Sequence, residues 1–316
     1  MQVVEDAART PAVSVVIPTR DRPRQLARAV QSALAQSAAD LEILVVDDAS
    51  TTPAAEGLAA FGDVRLRVLR HAQRRGASAA RNTGIAHARG AFVALLDDDD
   101  EWLPAKLERQ LTRFATGGED LGLVYCGVEV VAEASGTIER RDLPEGAPVV
   151  YADLLRSTFF GASAAMVRRA CFDTVGGFDD DLSGAQDRDM WLRLAKRYRF
   201  DYVPDALVRW YIHGDQITTN LTAKIDARQR LLRKYGDDLQ RHPVALAKHL
   251  LSLGMMYGAD ARPAPAAWCF LRAIRRCPRD PVAYRHLARL LASRSGYRTW
   301  VHAAGFRRID GISLYY

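Results

Sequence analysis

Cysteine is scarce in this 316-residue chain, and the four present, Cys126, Cys171, Cys269 and Cys277, show neither CxxC pairing nor zinc-ligand spacing. They read as small buried hydrophobes in a reducing compartment, not as a disulfide frame or a metal cage. No apolar run reaches the ~20 residues needed to span a bilayer. The longest candidate, Pro243 to Ala259, is interrupted by Lys248 and His249. The opening MQVVEDAART lacks a basic start and an apolar core, so no signal peptide is expected. Glycine-rich phosphate loops are missing too. There is no GxGxxG after the first apolar run and no GxxxxGK[ST] anywhere, so a diphosphate would have to be held in some other way. Nor is there a nucleic-acid recognition motif.

The composition is that of a globular protein, 48% hydrophobic and 26% charged, with enough chain for one large α/β core plus an appendage, or for two domains. The net charge of +6 is unevenly spread. Residues 224–316 carry 18 Lys and Arg against 6 Asp and Glu, and residues 1–223 carry 26 against 32. An acidic module, 1–223, and a basic one, 224–316, are therefore expected. The basic part calls for an anionic partner such as a membrane surface or a polyanionic acceptor.

Apolar runs closed by turn signals predict buried strands at Ala12–Pro18, Leu41–Val46, Val64–Leu69, Ala91–Leu96 and Leu121–Val131. Between the early runs, helical spacing of Leu26, Ala29, Val30, Ala33 and Leu34 after Pro23, and a small-residue stretch from Gly76 to Ala88, predict helices. Alternation of this kind implies a mainly parallel sheet whose strand ends share a rim. Acids collect where those strands end: Asp47 and Asp48 after one, and Asp97, Asp98, Asp99 and Asp100 after another. Such a tetrad suits a divalent cation and its phosphates. Taken alone it reads more readily as a solvated acidic turn ahead of a helix starting near Pro104. Residues 133–147 read as a hairpin or loop, 151–158 as a short helix, and GAQDRDMWLRLAKRYRF as an amphipathic helix. Met190, Trp191 and Leu194 face inward on that helix, and Asp187 lies in its first turn.

Six ordered stretches, VSVVIPTRDRP, VVDDAST, GASAARNTGI, LLDDDDEWLP, VGGFDDDLSGAQDRDMWLRL and RWYIHGDQIT, resemble the family-2 inverting nucleotide-sugar glycosyltransferases of GT-A fold, from about Val13 to about Asn220. The resemblance implies a Rossmann-like α/β sheet flanked by helices, and transfer of one sugar from a nucleoside-diphosphate donor. By the same token Pro18, Thr19, Arg20, Asp48, Arg81, Asp97 and Asp98 line the donor, with Asp48 accepting from a pyrimidine imide N–H. Asp99 and His213 hold Mg2+ or Mn2+, and Asp187 is the catalytic base. The chemistry wants these types: inversion at an anomeric carbon needs a carboxylate for the acceptor proton and positive charge for the leaving diphosphate. A helix start also favours the ionised form of Asp187.

Two departures stand out. Gln186 precedes Asp187 where many relatives carry Glu, and Arg209-Trp210 lacks the glutamine of a QxxRW motif, Ala206 standing there instead. A polymer-extruding synthase is not expected. A sugar nucleotidyltransferase, or a non-catalytic scaffold with an interaction tail, stays open as an alternative. Beyond residue 224, an Ala/Leu helix, a CPRDP turn and a second helix resemble a tetratricopeptide-like pair, which should dock on the catalytic domain or a second chain. The tail GYRTWVHAAGFRRIDGISLYY suits a membrane interface, an oligomer contact or a packed terminus. The expected partners are the nucleotide-sugar donor, a glycan, lipid-linked or small-molecule acceptor, a membrane surface touched peripherally, and a second copy in a homo-oligomer. The expected location is cytoplasmic or at the inner face of a membrane.

Overall fold

A computed structural model describes residues 10–144, 146–182, 184–212, 221–303, 308–309 and 312–313. The chain forms two compact units. The first takes Met1–Val149, Phe160–Asp180 and Arg193–His213, and the second Val150–Phe159, Asp181–Leu192 and Gly214–Tyr316.

The first unit is built on one sheet. Its strands are β1 (Val13–Thr19), β2 (Leu41–Asp47), β3 (Leu66–Arg70), β4 (Phe92–Leu95), β5 (Glu101–Trp102), β6 (Leu121–Ala132), β7 (Thr137–Asp142), β8 (Met166–Arg168) and β9 (Arg199–Ile212). They lie in the order β3-β2-β1-β4-β8-β6-β9-β5, with β7 pairing β6 as a hairpin. The longer pairings, β1 with β2, β2 with β3, β1 with β4 and β6 with β9, are parallel. The short strand β8 runs antiparallel to both β4 and β6. Every residue of β1 and β2 is buried, as continuous apolar runs covered on both faces require. The third strand starts later than its apolar pattern predicts, because Val64 is 96% exposed and pairing begins at Leu66.

The helices of this unit are α1 (Pro23–Leu34), α2 (Ala54–Leu58), α3 (Ala77–His87), α4 (Lys106–Thr116) and, past a segment of the second unit, α6 (Ala170–Val175). On α1 the buried residues include Leu26, Ala29, Val30 and Ala33, the face its spacing predicts. α3 lies against β1 because Gly84 presents no side chain. A Cβ there would stand 2.3 Å from a Val16 methyl.

The second unit holds α5 (Tyr151–Arg156), the start of α7 (Gln186–Ala195), and a helical array: α8 (Leu221–Lys234), α9 (Gly236–Arg241), α10 (Pro243–Ala259), α11 (Pro263–Arg276), α12 (Pro281–Ala292) and α13 (Arg294–Ala303). The interrupted apolar run is the centre of this unit. From Ala245 to Ala259 every residue of α10 except Lys248 is buried, as expected of a helix that is hydrophobic all round. Gly254 and Gly258 let it approach its neighbours closely, since Cβ atoms there would meet the rings of Phe270 and Tyr297 at 2.5 and 2.3 Å. The paired helices α11 and α12 form as their sequence predicts, with Asp280 capping α12 through the Val282 N–H at 2.9 Å. They pack on α10 and α13 within their own unit. α10 offers the apolar face that one helix pair lacks. Within the tail, Tyr297 and Val301 are buried, while Arg298 and Thr299 are exposed. Among the described residues no helix is long and apolar enough to cross a membrane.

Candidate functional site

Parallel pairing brings the carboxyl ends of β1, β2 and β4 to one rim of the first unit. Thr19 ends β1, Asp47 ends β2, and the four acids follow β4. The acids form a tight turn closed by the Asp100 N–H to the Asp97 carbonyl at 3.1 Å. The Thr19 hydroxyl donates to Asp98 at 2.7 Å. Arg22 reaches back from the start of α1 and spans two carboxylates, Asp98 at 3.1 Å and Asp99 at 2.8 Å. Arg28, stacked 3.7 Å over the Tyr211 ring, donates to the Asp99 carbonyl at 2.7 Å. Arg81 donates to Asp97 at 2.5 Å. The Ser163 hydroxyl donates to Asp100 and accepts the Asp97 N–H at 3.0 Å.

These contacts only partly offset the crowding of negative charge. Burial, then the neighbouring Asp99 carboxylate, pushes Asp98 up to about 6 despite Arg22 and Thr19. Burial, then Asp99 and Asp97, pushes Asp100 well above the usual carboxylate range. Among the described residues the buried Asp100 Oδ1 has no hydrogen-bond partner. Burial works against the charge on Arg22, yet Asp98 and Asp99 hold its pKa above the ordinary value. Clustered hard oxygens, mutual repulsion and an orphaned oxygen together fit an oxygen-seeking divalent cation. Among the described residues no three His, Cys, Asp or Glu side chains converge as a cage. The turn therefore suits the open arrangement in which one or two carboxylates share the ion with substrate phosphates and water. His213, the second expected ligand, lies outside the described residues.

Asp48 organises the neighbouring loop. Its carboxylate accepts from His71 at 2.8 Å and from the backbone N–H groups of Arg75 and Gly76 at 2.7 and 2.8 Å. Burial opposes the charge, but these donors, His71 first, hold its pKa below the usual range. Among the described residues Oδ2 accepts only the Gly76 N–H, which leaves it a lone pair. Asp47 is spent on structure, accepting from Ser50, Ala54 and Arg70. Pro18 is buried within β1 opposite Val46, while Arg20 is exposed and paired with Asp21 at 3.5 Å. Arg22, Arg28, Ser163 and His71 join the predicted residues at this rim without a motif of their own. Arg22 had a signal in the basic run after Thr19; the others meet the acids only through the fold.

Asp187 belongs to the second unit. It sits half-buried in the first turn of α7, where one carboxylate oxygen accepts the Arg188 N–H at 2.7 Å. The residues after it fasten that turn. Buried Arg188 donates to the carbonyls of Leu154 and Leu155, each at 2.9 Å. Asp189 accepts from Tyr235 at 2.8 Å and pairs with Lys234 at 2.8 Å. Burial lowers Arg188 to about 9 and Arg228 to about 10, so both stay charged at neutral pH.

Between the two arginines lies His249, 3.1 Å from Arg188 and 3.0 Å from Arg228, with Nε2 2.9 Å from the Leu155 carbonyl. Burial first, then the two guanidiniums, holds its pKa well below the ordinary value. The neutral ring is the folded form, so its stabilisation is complete above the unfolded pKa of ~6.5 and is lost as pH falls toward the folded value, by up to about 1.4 kcal/mol per pH unit. Urea titrations of the full chain should show stability falling below about pH 6.5, with a shallower fall in His249→Gln.

Comparison with known proteins places these features. The model of the family described as Glycosyl transferase family 2 matches residues 14–176. An uncharacterized glycosyltransferase, YwdF, of Bacillus subtilis is 31% identical over 71% of this chain and 84% of its own length. The UDP-Glc:alpha-D-GlcNAc-diphosphoundecaprenol beta-1,3-glucosyltransferase WfgD of Escherichia coli is 27% identical over 76% of this chain and 91% of its own. Among solved structures, the mannosyltransferase PcManGT of Pyrobaculum calidifontis, in complex with GDP-Man and Mn2+, superposes with a TM-score of 0.60, 22% identity, and coverage of 94% of this chain and 85% of that one. S. aureus TarS 1-349 in complex with UDP-GlcNAc gives 0.56 at 16% identity, covering 95% of each chain. The sheet is thus the GT-A type that the six motifs lead one to expect. Because the family match spans the acid-bearing rim and more than half of the sequence, this chain belongs to glycosyl transferase family 2 and is a glycosyltransferase.

Proposed function

We propose that the chain moves a single sugar, with inversion, from a nucleoside-diphosphate donor of UDP or dTDP type to an acceptor hydroxyl on a glycan, lipid-linked or small molecule. In this reading residues 1–223 carry the transfer chemistry and 224–316 are a basic α-helical region. Thr19 and Asp48 take the nucleoside, with the remaining Asp48 lone pair accepting the base imide N–H. Pro18, Arg20, Arg81, Asp97 and Asp98 line the rest of the donor. Asp99 and His213 would hold Mg2+ or Mn2+, which when bound supplies positive charge against the leaving diphosphate. The Asp187 carboxylate takes the acceptor hydroxyl proton as the oxygen bonds to the anomeric carbon. The bond from that carbon to the diphosphate oxygen breaks, and its electron pair leaves with the nucleoside diphosphate.

The observation that carries the reading is the Thr19–Asp98–Asp99–Arg22 network on the carboxyl rim of a parallel sheet, the edge where open α/β sheets bind ligands. Two names support the donor and acceptor classes. The WfgD relative is named for UDP-Glc and a diphosphoundecaprenol acceptor, and the TarS structure holds UDP-GlcNAc.

A panel of nucleotide sugars, tested by thermal shift with Mn2+, should single out one UDP or dTDP sugar. At 100 times its Kd such a ligand adds about 2.7 kcal/mol to the folded state. NMR of the product should then show the opposite anomeric configuration to the donor. Stabilisation by nucleoside triphosphates instead, or retention of configuration, would overturn the proposal.

A further inference from the structure

We infer that a groove in the helical array of the second unit is a binding site for a phosphate- or diphosphate-bearing ligand with an apolar portion. The groove is about 730 Å³, formed where the end of α10 and the start of α11 meet the end of α12 and the first turns of α13. Leu290, Ala261 and Pro263 give it an apolar floor, and Arg294 and Arg298, with Ser295 and Thr299, line its α13 side. Residues four apart stand one above the other on a helix, so the two guanidiniums share a face, as do the two hydroxyls.

The arginines are available. Among the described residues neither guanidinium forms an ion pair or a side-chain hydrogen bond. Asp260, beside the groove at Ala261, is paired with Arg262 at 4.0 Å. The whole C-terminal region carries three times as many basic as acidic residues, 18 against 6 in 224–316. Surplus positive charge draws an anion toward this unit.

The α13 wall is firmly seated. The Tyr297 ring lies where a Gly258 side chain would otherwise be, and its hydroxyl is 2.7 Å from the buried His286 Nδ1. Two guanidiniums fixed on one helix match a phosphate by paired N–H donors. The floor beneath them suits an attached hydrocarbon. Two sources present that chemistry, a soluble diphosphate and the headgroup of an anionic lipid. The site is separate from the transfer chemistry proposed above and does not depend on it.

The test uses the full chain at low salt, with R294E/R298E as the groove variant and R275E/R279E as a control with the same charge change at exposed positions off the groove. Inorganic pyrophosphate is titrated by calorimetry, and vesicles of phosphatidylglycerol or phosphatidylcholine are sedimented with protein. The wild type should bind pyrophosphate or the phosphatidylglycerol vesicles. The groove variant should bind at least about a hundredfold more weakly, at about tenfold per guanidinium, and the control should stay near wild type. Binding confined to pyrophosphate identifies a soluble ligand, and binding confined to phosphatidylglycerol a lipid. No binding in either arm, or equal loss in groove variant and control, overturns the site. Arg298→Gln repeats the test should the double reversal unfold the array. Retained stabilisation by nucleotide sugar in R294E/R298E keeps this result distinct from any failure of the donor reading.

Discussion

Asp187→Asn is expected to lower kcat by roughly 10²- to 10⁴-fold, the scale of general-base loss, while leaving donor affinity nearly unchanged. The amide keeps the shape of the carboxylate, and its oxygen still accepts the Arg188 N–H that the carboxylate accepts at 2.7 Å. The anchors of that turn, Arg188 to the α5 carbonyls and Asp189 to Tyr235 and Lys234, are untouched. Stability should therefore match the wild type, and the loss should fall on the proton-accepting step alone. The check is turnover at saturating donor and acceptor beside a direct donor Kd. Wild-type turnover in this variant would remove Asp187 as the base.

Asp99→Ala should act on the other half of the reaction. Its donor Kd in Mn2+ is expected to rise at least about 100-fold, since changes merely behind a metal ligand cost 10- to 100-fold. Asp98 keeps both Thr19 and Arg22 in this variant, so the turn retains its scaffold. In EDTA the variant and the wild type should bind donor equally weakly. A variant as tight as wild type in Mn2+ would move the ion away from Asp99.

Much of this arrangement was legible in the sequence because period and punctuation carry it. The runs that became β1, β2, β4 and β6 are mostly apolar, broken only by single polar residues such as Ser14, Glu42 and Glu129, and proline or acids mark the ends of the first three. The side chains that complete the acidic turn were less legible. Ser163 and Asp100 are brought together by β8 inserting antiparallel beside β4, a long-range pairing that no local spacing announces. Arg28 looks like an ordinary surface arginine on an amphipathic helix until the fold turns it onto the Asp99 carbonyl. The helical array shows the opposite case. Lys248 and His249 interrupt the apolar run of α10 in the sequence, yet His249 is buried, held between two arginines and a carbonyl. A polar residue in a helix core is readable as structure only once its partners are known.

The central claim is that the Asp97–Asp100 turn holds a nucleoside diphosphate by sharing a divalent cation with it. Calorimetric titration of UDP into the wild-type chain, in Mn2+ and again in EDTA, tests this most directly. The account predicts that Mn2+ tightens UDP at least about tenfold and that UDP tightens Mn2+ by the same factor, as linkage demands. Equal UDP affinity in Mn2+ and EDTA would contradict it.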